Sequence, residues 1–554
     1  MKVNCKLDKL DINSDTTIKE YLVACGIDDV ERYLNADSCG IEDCNDYVNM
    51  KQGCDTLDIA LLKNYFSSSS NIIYIVQDSD VDGLTSCAIA YLYLRHLGVP
   101  EFYIRVLFHS DKSHGLTDKI MEQIDDDCSL LWLPDAGSND VEQCEILNNK
   151  GIKVLITDHH LISTNNTDAT VINNQISPKI QNKSLSGVGV TFKFIQYCCQ
   201  HDDDDFYQSL LDLVALGNIG DVMDMCSLEN RCINKWGLNN ITNPFLKTLC
   251  DTYIRDGKIN PTSIAWNVVP KLNAIQRCDD TNAKTLIFKA MVTDKDDYSD
   301  EIKVLNKWHN HQRTTCDKIF KEIISEHIET EHNIEIVNVP QTAYTGLIAN
   351  KLLSYYRKPI LAVYEKGDEW FGSCRSNIDL KNILATSGYM TIAEGHDRAF
   401  GVAWKQNQTD KLLKYCDTIS IKDAQVFDVC CSVLPNQIPL SLFSAVGEYN
   451  DIWATGLPKM AFDIHDIVLN AKEIQILGKS QNTLKFTYKG IEFIRFRCDK
   501  NVFNDFHIDT KDRLEIEIVG TLGMNEYKGK YTPQVMIDEY EVKGKSDIRL
   551  DEVW

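Results

Sequence analysis

Three short apolar runs in the first third of the chain end abruptly in acids or histidines. Asn71–Gln77 (NIIYIVQ) runs into Asp78, Ser129–Pro134 (SLLWLP) into Asp135, and Lys153–Thr157 (KVLIT) into Asp158, His159 and His160. Between them, residues 85–97 and 117–124 space their apolar side chains as helices do. Short apolar strands alternating with helices predict an α/β domain with a parallel, doubly wound sheet. In such a sheet ligands sit beyond the carboxyl ends of the strands, so the three polar clusters are placed to converge. Residues 205–225 read as a helix ending near Asp221, and 296–331 as a long connecting helix. A second, smaller α/β pattern begins near residue 335, and five short strands between about 460 and 545 fit a small OB-like β-barrel. Residues 1 to about 66 read as helical, closed by the serine run Ser67–Ser70, and the acidic run Asp202–Asp205 as a solvated loop. The expected division is 1–235 for the first α/β domain with its N-terminal helices, 236–333 for a helical linker, 334–455 for the second α/β domain and 456–554 for the barrel.

Charge and cysteine usage narrow the class. The net charge of −24 excludes a uniformly basic surface, so a nucleic-acid partner has to be met by a local basic groove. The 20 cysteines contain no C-x-x-C pair and hence no structural zinc spacing. The opening MKVNCKLDKLD is not an apolar signal segment, and no apolar run approaches the roughly 18 residues of a membrane span. A reduced, cytoplasmic protein is expected, with most cysteines serving as small buried hydrophobes.

The sharpest chemical feature is Asp78-Ser-Asp80-Val-Asp82-Gly83. An EF-hand reading needs Glu at the twelfth loop position, where Ile89 stands, and a helix before the loop, where a strand is expected. Three carboxylates this close repel unless a cation neutralises them; the alternative is an exposed acidic turn without a ligand. Asp135 and the Asp158-His159-His160 triplet at two further strand ends favour the cation, since carboxylate with imidazole suits manganese and, less tightly, magnesium. Asp221, in LVALGNIGD, is the fourth candidate.

These segments, in this order, resemble the DHH phosphoesterases, a family named for the triplet at 158–160. Several further stretches are similar to its RecJ-like members: Ser186–Phe192 (SGVGVTF), Pro270–Arg277 (PKLNAIQR), Gly372–Ser376 (GSCRS), Glu394–Gly401 (EGHDRAFG) and the barrel segment 520–539. The resemblance implies a metal-dependent exonuclease that shortens single-stranded DNA from the 5′ end to mononucleotides, in recombination, repair or replication. It implies two manganese or magnesium ions held by Asp80, Asp82, Asp135, His159 and Asp221, with Asp135 bridging and Asp78 assisting. His160 is then free for the scissile phosphate, and Asp158 orients the loop. Arg277 and Arg375 are the expected clamp for a terminal phosphate, with Ser373, Gly395 and His396 nearby. The accessory domain, called DHHA1 in this family, is expected to face the first domain across a cleft that admits one strand. Tyr488, Phe493, Arg495 and Arg497 are barrel candidates for strand binding.

Three departures bear on the details. Val76 stands where some relatives have a histidine, Glu394 replaces the usual glycine, and the 108–116 stretch lacks an arginine, leaving His109, Lys112 or His114 to do its work. Two rival readings are a phosphodiesterase of short oligonucleotides or cyclic dinucleotides, and a non-catalytic replication scaffold. A monomer is expected, with single-stranded DNA as substrate and single-strand-binding protein or replication and recombination proteins as partners.

Overall fold

The computed structural model describes residues 1–37, 40–66, 71–199, 204–341, 343–419, 426–479, 481–498, 500–508, 510, 512–527 and 529–545. The chain forms two compact units, residues 36–422 and residues 1–35 with 423–554.

The larger unit opens with a five-stranded, all-parallel sheet in the order Ile104–Phe108, Ile72–Gln77, Cys128–Pro134, Lys153–Asp158, Thr170–Asn173. The Ile72–Gln77 and Cys128–Pro134 strands are buried along their whole length, as expected where helices cover both faces. One face packs on helices that include Val81–His96, Gly187–Cys199 and Leu211–Gly220; the other forms a smaller core with Leu131, Leu133, Ile156 and Leu147. The strand order reverses between Ile72–Gln77 and Cys128–Pro134. Their carboxyl ends therefore flank the crevice where this class of sheet binds ligands, and those ends carry Asp78 and Asp135.

Helices fill residues 228–326 and end in the 28-residue helix Ser299–Glu326. A second sheet follows, ordered Ile392–His396, Ala399–Lys405, Glu369–Arg375, Ile360–Lys366, Glu335–Asn338. Leu361, Val363, Cys374 and Phe400 point to one core, while Ile360 and Ala362 pack beneath the helix Thr345–Tyr356.

The smaller unit holds a seven-stranded sheet ordered Ser432–Val433, Ala461–Asn470, Arg513–Tyr527, Lys530–Lys545, Ile491–Arg495, Thr483–Tyr488, Gln475–Leu477. All five expected strands are present. Among the described residues the first and last strands do not pair, so the sheet is not closed into a barrel. Two strands were not anticipated. Ser432–Val433 is only two residues long. In Ala461–Asn470 the alternation is broken by His465 and Asp466, where the ladder shifts register and Asp466 takes φ 57°.

Two expectations are corrected. The first 35 residues do not join the first α/β domain, because Lys2–Cys5 pairs in parallel with Val426–Val429 and Leu7 N–H donates to the Cys430 carbonyl. Nor is the chain wholly reduced: Cys54 and Cys198 form a disulfide joining the helices Met50–Phe66 and Gly187–Cys199. Most of the other cysteines among the described residues are buried. The long connecting helix spans Ser299–Glu326, and 205–225 resolves into Asp204–Gln208 and Leu211–Gly220 with Asp221 as C-cap. Ser67–Ser70 and residues 202–203 of the acidic run lie outside the described residues. No helix among the described residues is long and apolar enough to cross a membrane.

Candidate metal centre

Each acid is placed by local backbone chemistry. Asp80 caps the helix Val81–His96, its Oδ1 accepting from Gly83 N–H at 3.0 Å. Asp82, in the first turn, accepts from the Gly187 and Val188 amides at 2.7 and 3.0 Å, the open N-terminus of another helix. Gly187 is required there, since a Cβ would lie 2.2 Å from Asp135 Oδ1. Asp135 adopts the left-handed region at φ 76°, with its N–H on the Thr157 carbonyl at 2.7 Å.

The side chains converge. His159 Nε2 lies 3.4 Å from Asp135 Oδ1, 3.4 Å from Asp221 Oδ2 and 4.0 Å from Asp82 Oδ2. Ligands about 2.1 Å from one cation stand roughly 3.0–3.4 Å from each other, so this spacing suits a shared ion. Ligand atoms of Asp78, Asp80 and Asp135 form a second set within 4.8 Å of one another. Asp78 Oδ1 and Asp135 Oδ1 are buried without a hydrogen-bond partner, acceptors whose burial a cation would compensate. The two donor sets, carboxylates with one imidazole, fit a pair of divalent cations of the manganese or magnesium kind.

Electrostatics agree with the geometry. Burial, then the neighbouring Asp80 charge, pushes Asp82 up to about 7 despite its two amide bonds. Burial and the surrounding carboxylates drive Asp135 and Asp221 well above the ordinary carboxylate range. Burial and the His160 charge lower His159 to about 4, leaving a neutral imidazole able to act as a ligand. Between the ordinary carboxylate range and about pH 7 the folded, metal-free protein therefore holds protons on three carboxylates that the unfolded chain has released. His159 works the other way, so the net effect is that metal-free stability falls as pH rises through this window. The gain in melting temperature on adding Mn²⁺ is expected to be larger at pH 7 than at pH 5. Equal gains at the two pH values would contradict the clustering.

Asp158 stands apart. It is buried and its oxygens are already engaged by the Ser138, His159 and His160 amides at 3.2, 2.7 and 3.1 Å and by His160 Nδ1 at 2.8 Å. Burial raises its pKa, but the bond from His160 and the histidine charges outweigh this and hold it below the usual range. Burial disfavours the His160 cation, yet the Asp158 bond and charge raise it to about 10. His160 thus keeps Nδ1 on Asp158, with its side chain about half exposed.

The loop after Ile104–Phe108 folds back onto the first motif. Val76 is buried in the core, and His114 Nδ1 instead meets Asp78 Oδ2 at 2.5 Å, with the buried His109 Nε2 4.0 Å from Asp78 Oδ1. Lys112 belongs with the arginines. Burial, then Arg277 and Arg375, lower its pKa, and Asp80 and Asp78 act on it in the opposite sense. Lys112, Arg277 and Arg375 thus form a cationic group beside the acidic one. Arg277 ends the helix Val269–Gln276 with Nε unpaired. The Arg375 guanidinium lies against Gly346 at the start of the Thr345–Tyr356 helix, where a Cβ would come within 2.5 Å of Nη2.

Ser373 and Arg375 share the sheet face that carries Ala362 and Ile360, and register continues it through Gly401 and Ala399 to Glu394 and His396. Gly395 and His396 sit at the exposed far edge, Gly395 at φ 131° with its carbonyl on Lys381 Nζ at 2.8 Å. No hydrogen bond or ion pair ties either to the arginines among the described residues. Of the strand-binding candidates in the smaller unit, Phe493 is a core residue stacked 5.0 Å from Phe486, and Arg495 lies over the Tyr540 ring at 5.0 Å. Tyr488 is half-buried and Arg497 exposed.

Positioning groups that gave no sequence signal surround the histidines. Asn173 and Gln175 donate to the His160 and His159 carbonyls at 3.0 Å each, and buried Lys284 donates to the His109 carbonyl at 2.5 Å.

Comparison with known proteins agrees with this arrangement. Residues 72–218 match the family model "DHH family, N-terminal domain", and residues 431–539 match "RecJ OB domain". The chain is 30% identical to the putative SPbeta prophage-derived single-strand DNA-specific exonuclease YorK of Bacillus subtilis, over 93% of this chain and 94% of that protein. This chain belongs to the DHH family, on its RecJ branch. It is 26% identical to the single-stranded-DNA-specific exonuclease RecJ of Bacillus subtilis, over 91% of this chain and 65% of that one. The fold matches that of RecJ in complex with Mn²⁺ from Thermus thermophilus, with TM-score 0.69 at 18% identity, over 90% of this chain and 72% of that one. The DHH match covers every element of the centre except Asp221, three residues beyond its end.

Proposed function

We propose that the protein is a metal-dependent exonuclease hydrolysing single-stranded DNA from its 5′ end to mononucleotides. The observation that carries this is the juxtaposition of a buried carboxylate–imidazole centre with the Lys112–Arg277–Arg375 group. The first suits two cations and the second a terminal phosphate. Named relatives that act on single-stranded DNA support the polymer class.

Asp82, Asp135, His159 and Asp221 would hold one cation, and Asp78, Asp80 and Asp135 the other. Two such cations, when bound, would activate water and neutralise charge on the phosphate under attack. The chain's residues do the rest. Arg277 and Arg375 hold the 5′ phosphate with planar forks, and Lys112 joins them as a point charge. His160, kept protonated by Asp158, presents Nε2 to the scissile phosphate or the leaving oxygen, where it can give a proton. The reading extends to a cytoplasmic monomer, with partners among the proteins that coat or process single strands.

Arg277→Ala is expected to weaken use of 5′-phosphorylated strands by about tenfold to a hundredfold in kcat/KM, with a much smaller loss on 5′-hydroxyl strands. Equal losses on both would remove Arg277 from the clamp. The whole reading is tested with Mn²⁺ and strands labelled at either end, single or duplex. Early release of 5′-labelled mononucleotide from single strands alone is expected. Early release of the 3′ label, or cleavage only of di- and trinucleotides, would overturn it.

A further inference from the structure

Away from the centre, the larger unit holds a second polar cavity among the helices Pro244–Tyr253, Pro261–Asn267, Val269–Gln276 and Ser299–Glu326. Its volume is about 720 Å³, and its walls include Tyr253, Arg255, Trp266, Lys271 and His309. That is room for a nucleotide-sized guest, within the roughly 300–1,000 Å³ usual for ligand sites.

Three features need explaining together. Trp266 is 71% exposed, unusual for the largest apolar side chain. Lys271 Nζ lies 4.3 Å from the centre of the Tyr253 ring, a cation over an aromatic face. Arg313, one helical turn beyond His309, is near enough to act on both Lys271 and His309, whose pKa values are lowered by burial first and then by these neighbouring cations. Lys271, Arg313 and Arg255 make no ion pair among the described residues, although the chain carries a net charge of −24. Asp256 also lines the cavity, and its Oδ1 is taken by the Lys258 amide at 3.2 Å. Flat aromatic surface bordered by uncompensated cations is the chemistry that receives unpaired bases joined by phosphates.

Location adds to this. Lys271 and the clamp residue Arg277 belong to one helix and its C-cap, six residues apart, about 9 Å of rise.

We propose that this cavity is a second binding site for single-stranded nucleic acid, with one unpaired base on Trp266 and the flanking phosphates on Lys271 and Arg313. It rests on the exonuclease reading and adds a contact that favours long strands over short ones.

The test measures binding of a fluorescently labelled 20-nucleotide single strand by anisotropy in EDTA, so that hydrolysis plays no part, and Mn²⁺-dependent turnover of a tetranucleotide. Trp266→Ala and the double variant Lys271→Glu/Arg313→Glu are each expected to bind the 20-mer about tenfold more weakly while turning over the tetranucleotide as the wild type does. Trp266→Phe is expected to restore most of the binding. Unchanged 20-mer affinity in both variants overturns the proposal, and so does an equal loss on the tetranucleotide, which would mark general damage. A wild type that binds the 20-mer but does not degrade it removes the exonuclease reading instead, and the anisotropy still decides the cavity.

Discussion

Asp135→Asn is expected to lower Mn²⁺-dependent hydrolysis of single-stranded DNA by about a thousandfold or more, while the metal-free protein melts no lower than the wild type. Asn is the informative replacement. Asp135 sits at φ 76°, a region that Asn tolerates and Ala does not, so Asn removes the charge and leaves the backbone alone. Its Oδ1 is buried without a partner, 3.4 Å from the His159 Nε2 of one donor set, and Asp135 also belongs with Asp78 and Asp80 in the other. Loss of the carboxylate therefore weakens two cation positions together. Metal-free stability is spared because burial, then Asp82, Asp80, Asp78 and Asp221, hold the Asp135 pKa high, so the metal-free pocket already favours an uncharged side chain there and Asn supplies one. Activity kinetics and thermal melting in EDTA check both halves. A variant that keeps full activity removes Asp135 from the centre, and one that melts far lower shows that the carboxylate was already satisfied inside the protein.

His160→Gln gives the second large effect, of a different kind. A kcat loss of about a hundredfold to a thousandfold is expected, with Mn²⁺ affinity close to that of the wild type. His160 gives Nδ1 to Asp158 at 2.8 Å, has a half-exposed side chain and is raised to about 10, which suits the proton-carrying role proposed for it. Its neighbour His159 has the opposite character, buried and lowered to about 4. Environment alone thus pushes the pKa values of one adjacent pair in opposite directions. Should His160→Gln lose Mn²⁺ along with activity, the division of labour between the two histidines is wrong.

Much of the centre was legible because strand ends are legible. A run of β-formers that stops at a carboxylate marks a sheet edge, and a parallel sheet brings such edges together without any knowledge of the loops. Asp78, Asp135 and His159 are gathered that way. Asp221 was a weaker candidate, placed near the end of a predicted helix, since a helix C-cap carries no comparable pattern and the resemblance had to supply its role. The edge strands Ile104–Phe108 and Thr170–Asn173 were too short to stand out. The bond from His114 to Asp78 depends on how the 109–114 loop folds back, which no local pattern encodes. Phe493 misled because alternation along a strand gives two faces but not which one is wet. The Lys2–Cys5 strand and the Cys54–Cys198 link were hidden for a simpler reason: their partners lie far along the chain.

The most direct measurement is a titration of the metal-free protein with Mn²⁺, reading the free ion by electron paramagnetic resonance. Two ions bound per wild-type chain, and fewer per Asp135→Asn chain, is the predicted result. A wild type that binds one ion or none, or an Asp135→Asn variant that still binds two with unchanged affinity, would contradict it.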